Sequence, residues 1–140
     1  MKKVLLINGS PNEKGCTALA LEEIASTLKK RGIESDIKQI GKKPVAGCIA
    51  CYSCARTGRC AFNDAVNEII ESLDSYGALV VGSPVYYGSA TGQICCLLDR
   101  LFFAGGRLMD GKIGAPATPK NRTIIQDTSA VPATRWTKCG

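Results

Sequence analysis

Two short apolar runs, Val4-Leu5-Leu6-Ile7 and Ala78-Leu79-Val80-Val81, each give way to a Gly-Ser-Pro turn, at Gly9-Ser10-Pro11 and Gly82-Ser83-Pro84. A strand that is apolar at every position has no polar face to offer water. It must be covered on both sides, as in a parallel sheet flanked by helices. Helical spacing lies between the runs: Leu21, Ile24, Ala25 and Leu28 form one stripe, with Thr17 expected as N-cap and Lys29-Lys30-Arg31-Gly32 as the stop. Residues 33–40 alternate as a second, more peripheral strand. Val66, Ile69, Ile70 and Leu73 mark a helix capped by Asn63 or Asp64. Ile94, Leu97, Leu98, Leu101 and Phe102 mark another of about a dozen residues, ended by Gly105-Gly106. The order β-α-β-loop-α-β-α predicts an α/β fold with an open, doubly wound parallel sheet.

After Ala115 this pattern stops. Pro116, Pro119 and Pro132, scattered threonines and a single short β-like stretch at Thr123-Ile124-Ile125 read as an irregular or disordered tail over 115–140. The formal charge of +6 is concentrated past residue 111, where five Lys/Arg face only Asp127. Without interleaved aromatics or an arginine stripe, that end reads as solvated, so no nucleic-acid partner is expected. No apolar run approaches the roughly eighteen residues of a membrane span. Met1-Lys2-Lys3 before Val4–Ile7 is too short a block for a signal peptide. No membrane partner is expected, and the chain is placed in the cytoplasm, where thiols stay reduced.

Eight cysteines in such a compartment point to metal or redox use rather than bridges. Four of them crowd into Cys48-x2-Cys51-x2-Cys54-x5-Cys60, inside a loop spanning residues 41–62. Thiolates two residues apart can turn inward on one loop, and their softness suits zinc or an iron–sulfur cluster. Zinc sites more often pair two distant C-x2-C knuckles, so the spacing favours a cluster, with zinc and unligated thiols left open. Arg56 and Arg59 would offset the charge of ligated thiolates. With no histidine in the chain, imidazole bases and His-ligated metals are excluded. Cys95-Cys96 reads as core filling and Cys16 as a small residue packed on the first loop. Asp99-Arg100 reads as an intrahelical or interface charge pair.

Ligands of a doubly wound sheet bind beyond the carboxyl ends of its strands. The loop Asn8 to Thr17 offers the Ser10 and Thr17 hydroxyls, a close backbone approach at Gly15, and a helix N-terminus. That combination suits a phosphate. It matches neither G-x-x-x-x-G-K-[ST] nor G-x-G-x-x-G, so nucleotide hydrolysis and the usual dinucleotide fingerprint lose support. In the second loop, Gly82 to Ser89, Pro84 and Gly88 fix an extended backbone beside Tyr86 and Tyr87, where a flat heterocycle could stack.

Gly9-Ser10-Pro11 with Thr17, the cysteine loop, Gly82-Ser83-Pro84-Val85-Tyr86-Tyr87-Gly88 and Leu98-Asp99-Arg100 stand in a telling order and spacing. Together they resemble the NAD(P)H-dependent FMN reductase family of flavodoxin-like proteins, and within it the iron–sulfur flavoproteins. The resemblance covers residues 1–114 and implies a flavodoxin-like FMN-binding domain there. It implies that Ser10, Asn12, Gly15, Cys16 and Thr17 wrap the FMN phosphate. It further implies that Pro84, Val85, Tyr86, Tyr87 and Gly88 border the isoalloxazine, and that Cys48, Cys51, Cys54 and Cys60 hold a [4Fe–4S] cluster nearby. Family members continue with a further strand, a glycine-containing flavin loop and a last β-α unit. That unit is expected to be missing here, leaving an open sheet edge.

The resemblance implies an oxidoreductase in which NAD(P)H reduces FMN and electrons pass to a small acceptor, with the cluster as an intermediate station and no catalytic side chain required. It implies a homodimer or homotetramer. Two further readings stand beside it: an electron carrier serving a ferredoxin-like partner, and a nonenzymatic truncated remnant.

Overall fold

The apolar run Lys3–Asn8 forms β1, fully buried from Val4 onward. In this computed structural model the described residues are 2–118 and, as backbone, Thr134–Arg135. The chain continues through α1 (Cys16–Lys30), β2 (Ser35–Gln39), α2 (Ser53–Thr57), α3 (Ala65–Ser72), a 3-10 turn (Leu73–Ser75) and β3 (Tyr76–Gly82). A small hairpin, β4 (Val85–Tyr86) and β5 (Ser89–Ala90), precedes α4 (Gly92–Met109), β6 (Ile113–Ala117) and β7 (Thr134–Arg135). The main sheet has the order β2-β1-β3-β6-β7, parallel through its first four strands. α1 covers one face, packing Leu21 with Val4, Leu6, Val80 and Ala117. α3 and α4 cover the other, packing Val66, Ile69, Ile94, Leu97 and Leu101 against Leu5, Ile7 and Leu79. The doubly wound α/β fold is as the apolar runs required.

Where the structure departs from the sequence expectations, local packing gives the reason. Thr17 is not the cap of α1: Gly15 holds that position, and Thr17 is buried inside the first turn. Its methyl lies over Gly82, so close that a Cβ on Gly82 would meet Thr17 Cγ2 at 2.9 Å. α4 does not stop at Gly105-Gly106 but runs 18 residues to Met109. Gly105 is buried there because α3 crosses it: a Cβ would meet Ile70 Cγ1 at 3.3 Å. The stop is Gly111, at φ 76°, a left-handed conformation that glycine adopts without strain. Cys95 is exposed and Cys96 half-buried, so this pair does not fill the core.

A fourth parallel strand, β6, takes in Ala115–Ala117, past the expected end of regular structure at residue 114. Its outer side meets β7, antiparallel, with Ile113 opposite Arg135 and Gly114 opposite Thr134. Among the described residues, Ala115–Ala117 have no strand on that side. The β-like stretch Thr123–Ile125 and the remainder of the expected tail lie outside the described residues. No described helix is long and apolar enough to cross a membrane.

Candidate functional site

β1 and β3 pair in register up to Asn8 and Gly82, and the chain then leaves both strands at the same edge. Strand order turns outward here, with β2 on one side and β6 on the other, which creates the crevice where such sheets bind ligands. The two loops are tied together at their roots. Gly9 N donates to Gly82 O at 2.7 Å, and the Thr91 hydroxyl donates to Gly9 O at 3.2 Å. Thr91 also caps α4 by accepting from Ile94 N at 3.3 Å. Gly9 permits this approach: a Cβ there would lie 2.9 Å from Ile94 Cβ and 3.0 Å from Gly82 O.

The first loop is ordered by side chains that each accept an amide two residues on. Asn8 Oδ1 accepts from Ser10 N at 3.0 Å, Ser10 Oγ from Asn12 N at 3.1 Å, and Asn12 Oδ1 from Lys14 N at 3.2 Å. Gln39 Nε2 steadies the loop from β2 by donating to Ser10 O at 2.7 Å. This ladder stops short of the helix. α1 has no side-chain cap and no acid in its first turn. Among the described residues, the amides of Cys16, Thr17 and Ala18 have no acceptor, and the Thr17 hydroxyl has no partner although the residue is only 2% exposed. Among the described residues Ser10 Oγ bonds only as an acceptor, which leaves its own hydrogen to donate. Three amides, a buried hydroxyl and the positive end of a helix dipole thus lack an acceptor at one place. Of the residues expected to contact a phosphate, Gly15 and Thr17 lie at this helix start, Ser10 and Asn12 order the loop that leads to it, and Cys16 is exposed there.

The second loop is a hairpin, not the simple extended segment expected. Tyr87 and Gly88 occupy its two-residue turn with φ 49° and 79°, the left-handed pair that such a turn demands. Ser83, buried, donates to Pro84 O at 2.9 Å and accepts from Thr91 N at 3.0 Å, which fixes the hairpin's root. Pro84 and Val85 are half-buried, Tyr86 is exposed, and Tyr87 is fully exposed at 101%, with no described residue covering its ring.

The cysteine loop leaves β2 and packs on the flank of α4. Cys48, Cys51, Cys54 and Cys60 all line one small pocket, walled by Phe62, Phe103 and Arg100. Its volume of about 20 Å³ holds roughly one water. Among the described residues no three Cys, Asp, Glu or His side chains stand close enough to hold an ion. Four thiols lining one pocket suit a soft metal centre in their chemistry, but they would have to draw together to ligate one. Beside them an open groove of about 1210 Å³ runs along α4, between α2 and Phe102, Phe103 and Arg107.

Arg100 is the residue that sequence reasoning misread. Its side chain is buried and pairs not along its own helix but with Asp64, at 2.6 and 2.9 Å, while Nε donates to Cys60 Sγ at 3.1 Å. It also donates to Ala46 O and Phe62 O, both at 3.2 Å, and lies 4.9 Å over the Phe62 ring. Burial opposes its charge, but the bonds to Asp64 and Cys60 outweigh that and hold its pKa above the ordinary value. Asp64 also caps α3 by accepting from Val66 N at 3.1 Å, as expected for one of the two candidates. Arg59 pairs with Glu71 at 2.7 Å across the surface, and Arg56 is solvent-facing. Only the run of polar residues around a helix start, Asn63-Asp64 and Asn67, hinted that an arginine on a neighbouring helix would be needed.

Strand order and ligand-side loops define a flavodoxin-like α/β protein. Residues 2–126 match the NADPH-dependent FMN reductase family, and the chain belongs to that family; the match runs past residue 114, where the resemblance was expected to end. An iron–sulfur flavoprotein of Methanocaldococcus jannaschii is 33% identical over 129 residues, covering 91% of this chain and 67% of that protein. One from Archaeoglobus fulgidus is 34% identical over 116 residues, covering 81% and 57%. Among solved structures, the fold is shared with an NAD(P)H:quinone oxidoreductase from Methanothermobacter marburgensis (TM-score 0.60, 15% identity, 74% of this chain and 55% of that one). It is also shared with an FMN-dependent NADH-azoreductase from Bacillus anthracis (TM-score 0.56, 17% identity, 88% and 72%). The chain spans from 48% to 67% of the length of the curated relatives it matches.

Proposed function

We propose that this chain binds FMN at the β1/β3 crevice and acts as an NAD(P)H-dependent flavin oxidoreductase. The observation that carries the reading is the set of unmatched donors at the start of α1: the Cys16, Thr17 and Ala18 amides and the buried Thr17 hydroxyl. A phosphate monoester supplies the acceptors and the negative charge that such a cradle lacks. Bound FMN supplies the redox chemistry between NAD(P)H and an acceptor. The protein's part is placement. Ser10 and Thr17 donate to the phosphate, Asn12 holds the loop open to it, and Gly15 and Cys16 bring the backbone close. Pro84, Val85, Tyr86, Tyr87 and Gly88 present a rigid turn along the ring, anchored through Ser83 and Thr91 to the first loop. The family and its flavoprotein relatives support this reading.

Cys48, Cys51, Cys54 and Cys60 are proposed to ligate a [4Fe–4S] cluster, supported by their lining one pocket and by relatives named iron–sulfur flavoproteins. The test is anaerobic reconstitution with FMN, iron and sulfide, followed by the visible spectrum, metal and sulfide assays, and NAD(P)H oxidation with a quinone. Flavin uptake with quinone-dependent turnover supports an enzyme. Flavin uptake with slow NAD(P)H oxidation but rapid reduction by a ferredoxin moves the reading to an electron carrier. A protein that takes up no flavin sinks both.

A further inference from the structure

The four cysteines are not held alike. Cys60 is gripped at every polar atom: Asn67 Oδ1 accepts from its amide at 2.8 Å, Asn67 Nδ2 donates to its carbonyl at 3.0 Å, and Arg100 Nε donates to its sulfur at 3.1 Å. Asn67 sits in the first turn of α3, only 3% exposed, and steadies the next turn of chain by donating to Phe62 O at 3.1 Å. Asp64, one turn earlier, holds the Arg100 fork. Cys48 and Cys51 present the opposite case. Both are exposed, and among the described residues neither makes a hydrogen bond through backbone or thiol. Cys51 lies between Ala50 and Tyr52, at φ 52° and 55°, conformations that cost non-glycine residues free energy and relax if the segment moves.

We propose that Asn67, Arg100 and Asp64 make Cys60 the preformed anchor of the quartet, onto which the Cys48–Cys51 segment closes when a metal centre is built. The inference rests on the cluster reading for its ligand, but the grip on Cys60 precedes any metal. Ligation replaces each S–H with a sulfur–metal bond and releases the proton to water. Asn67 and Arg100 act as positioning residues: they touch a ligand, and fixing one donor in advance lowers the ordering cost of assembling the other three.

Amide hydrogen exchange of the metal-free chain reads the grip directly. The Cys60 amide is expected to be protected while those of Cys48 and Cys51 exchange as open loop, and Asn67→Ser should abolish the protection. After anaerobic reconstitution, Arg100→Lys, which keeps a cation beside Asp64, and Asn67→Ser are expected to lose iron to a chelator about 10–100-fold more readily. Arg100→Lys should also shift the cluster potential negative, because the lost N–H···S bond favours the more negative, reduced cluster. Lys43→Gln removes a positive charge from an exposed position of the same loop and should leave iron retention within about twofold. Cys60 exchanging as fast as Cys48 in the metal-free chain overturns the proposal, as does Lys43→Gln matching Arg100→Lys in iron loss. If the unaltered chain takes up no iron or sulfide, the cluster reading fails, and the exchange pattern alone decides whether Cys60 is held.

Discussion

Thr17→Val should move stability and flavin affinity in opposite directions. The residue is 2% exposed, its methyl is packed over Gly82, and its hydroxyl has no partner among the described residues. A buried hydroxyl left unpaired costs about 1–3 kcal/mol, and valine keeps the shape while removing that group. The free protein should therefore gain stability on that order in urea denaturation. In the proposed flavin complex the hydroxyl would donate to a charged phosphate oxygen, a bond of about 1.5–3 kcal/mol. Its loss weakens binding by roughly 10–150-fold at about 1.4 kcal/mol per decade. FMN fluorescence quenching measures that affinity. Thr17→Ser is the matched control: it keeps the donor and loses the methyl, so it should bind FMN within about threefold while losing about 0.5–1.5 kcal/mol of stability. Equal weakening by serine and valine, or a valine variant that binds as the parent does, would refute the assignment of this hydroxyl to a phosphate.

Gly82→Ala drives a Cβ to 2.9 Å from both Leu21 Cδ1 and Thr17 Cγ2 and should cost about 1–3 kcal/mol in denaturant unfolding, as overpacking does. Asp64→Ala strands the buried Arg100 and removes the cap of α3; a loss of about 3–5 kcal/mol is expected, and a loss under 1 kcal/mol would mean that Arg100 finds a new partner. Lys112, buried with its ammonium donating to Tyr76 O, has its pKa lowered from 10.5 by burial and then by the Lys2 charge. The unfolded chain then binds more protons between that lowered value and 10.5, so stability should rise with pH through the window. Lys112→Met should flatten the rise in urea midpoints measured from pH 7 upward.

Much of the fold was legible because it depends on pattern. Val4–Ile7 and Ala78–Val81 are apolar without alternation, and only a doubly covered sheet answers that. β6 was not legible: Ile113-Gly114-Ala115-Pro116-Ala117 has little β propensity, and its pairing with β3 is a tertiary effect. Gly105 misled for a related reason, since close helix crossing and helix termination both select glycine. At the first loop the residue types pointed toward a phosphate, but Thr17's place, inside the helix and not at its cap, depends on packing against Gly82. Arg100 could not be read at all. Its partners lie 36 and 40 residues away, and nothing in Leu98-Asp99-Arg100 separates a surface pair from a buried clamp.

α4 joins the two halves of the proposed site. At its start Thr91 caps the helix and donates to Gly9 O, which ties it to the phosphate-side loop. Nine positions later Arg100 holds Cys60, Ala46 and Asp64, which ties it to the cysteine loop. At about 1.5 Å per residue these anchor points lie roughly 14 Å apart along one rigid element. Between them Ile94 and Leu97 are wholly buried against the sheet, so the helix cannot slide without breaking core contacts. The separation between the flavin-side loop and Cys60 is therefore a property of the helix and not of either loop. Loop closure on Cys60 can then bring the remaining thiols to a point whose distance from the crevice is already set, and the open backbone of Cys48–Cys51 can rearrange without disturbing the phosphate cradle.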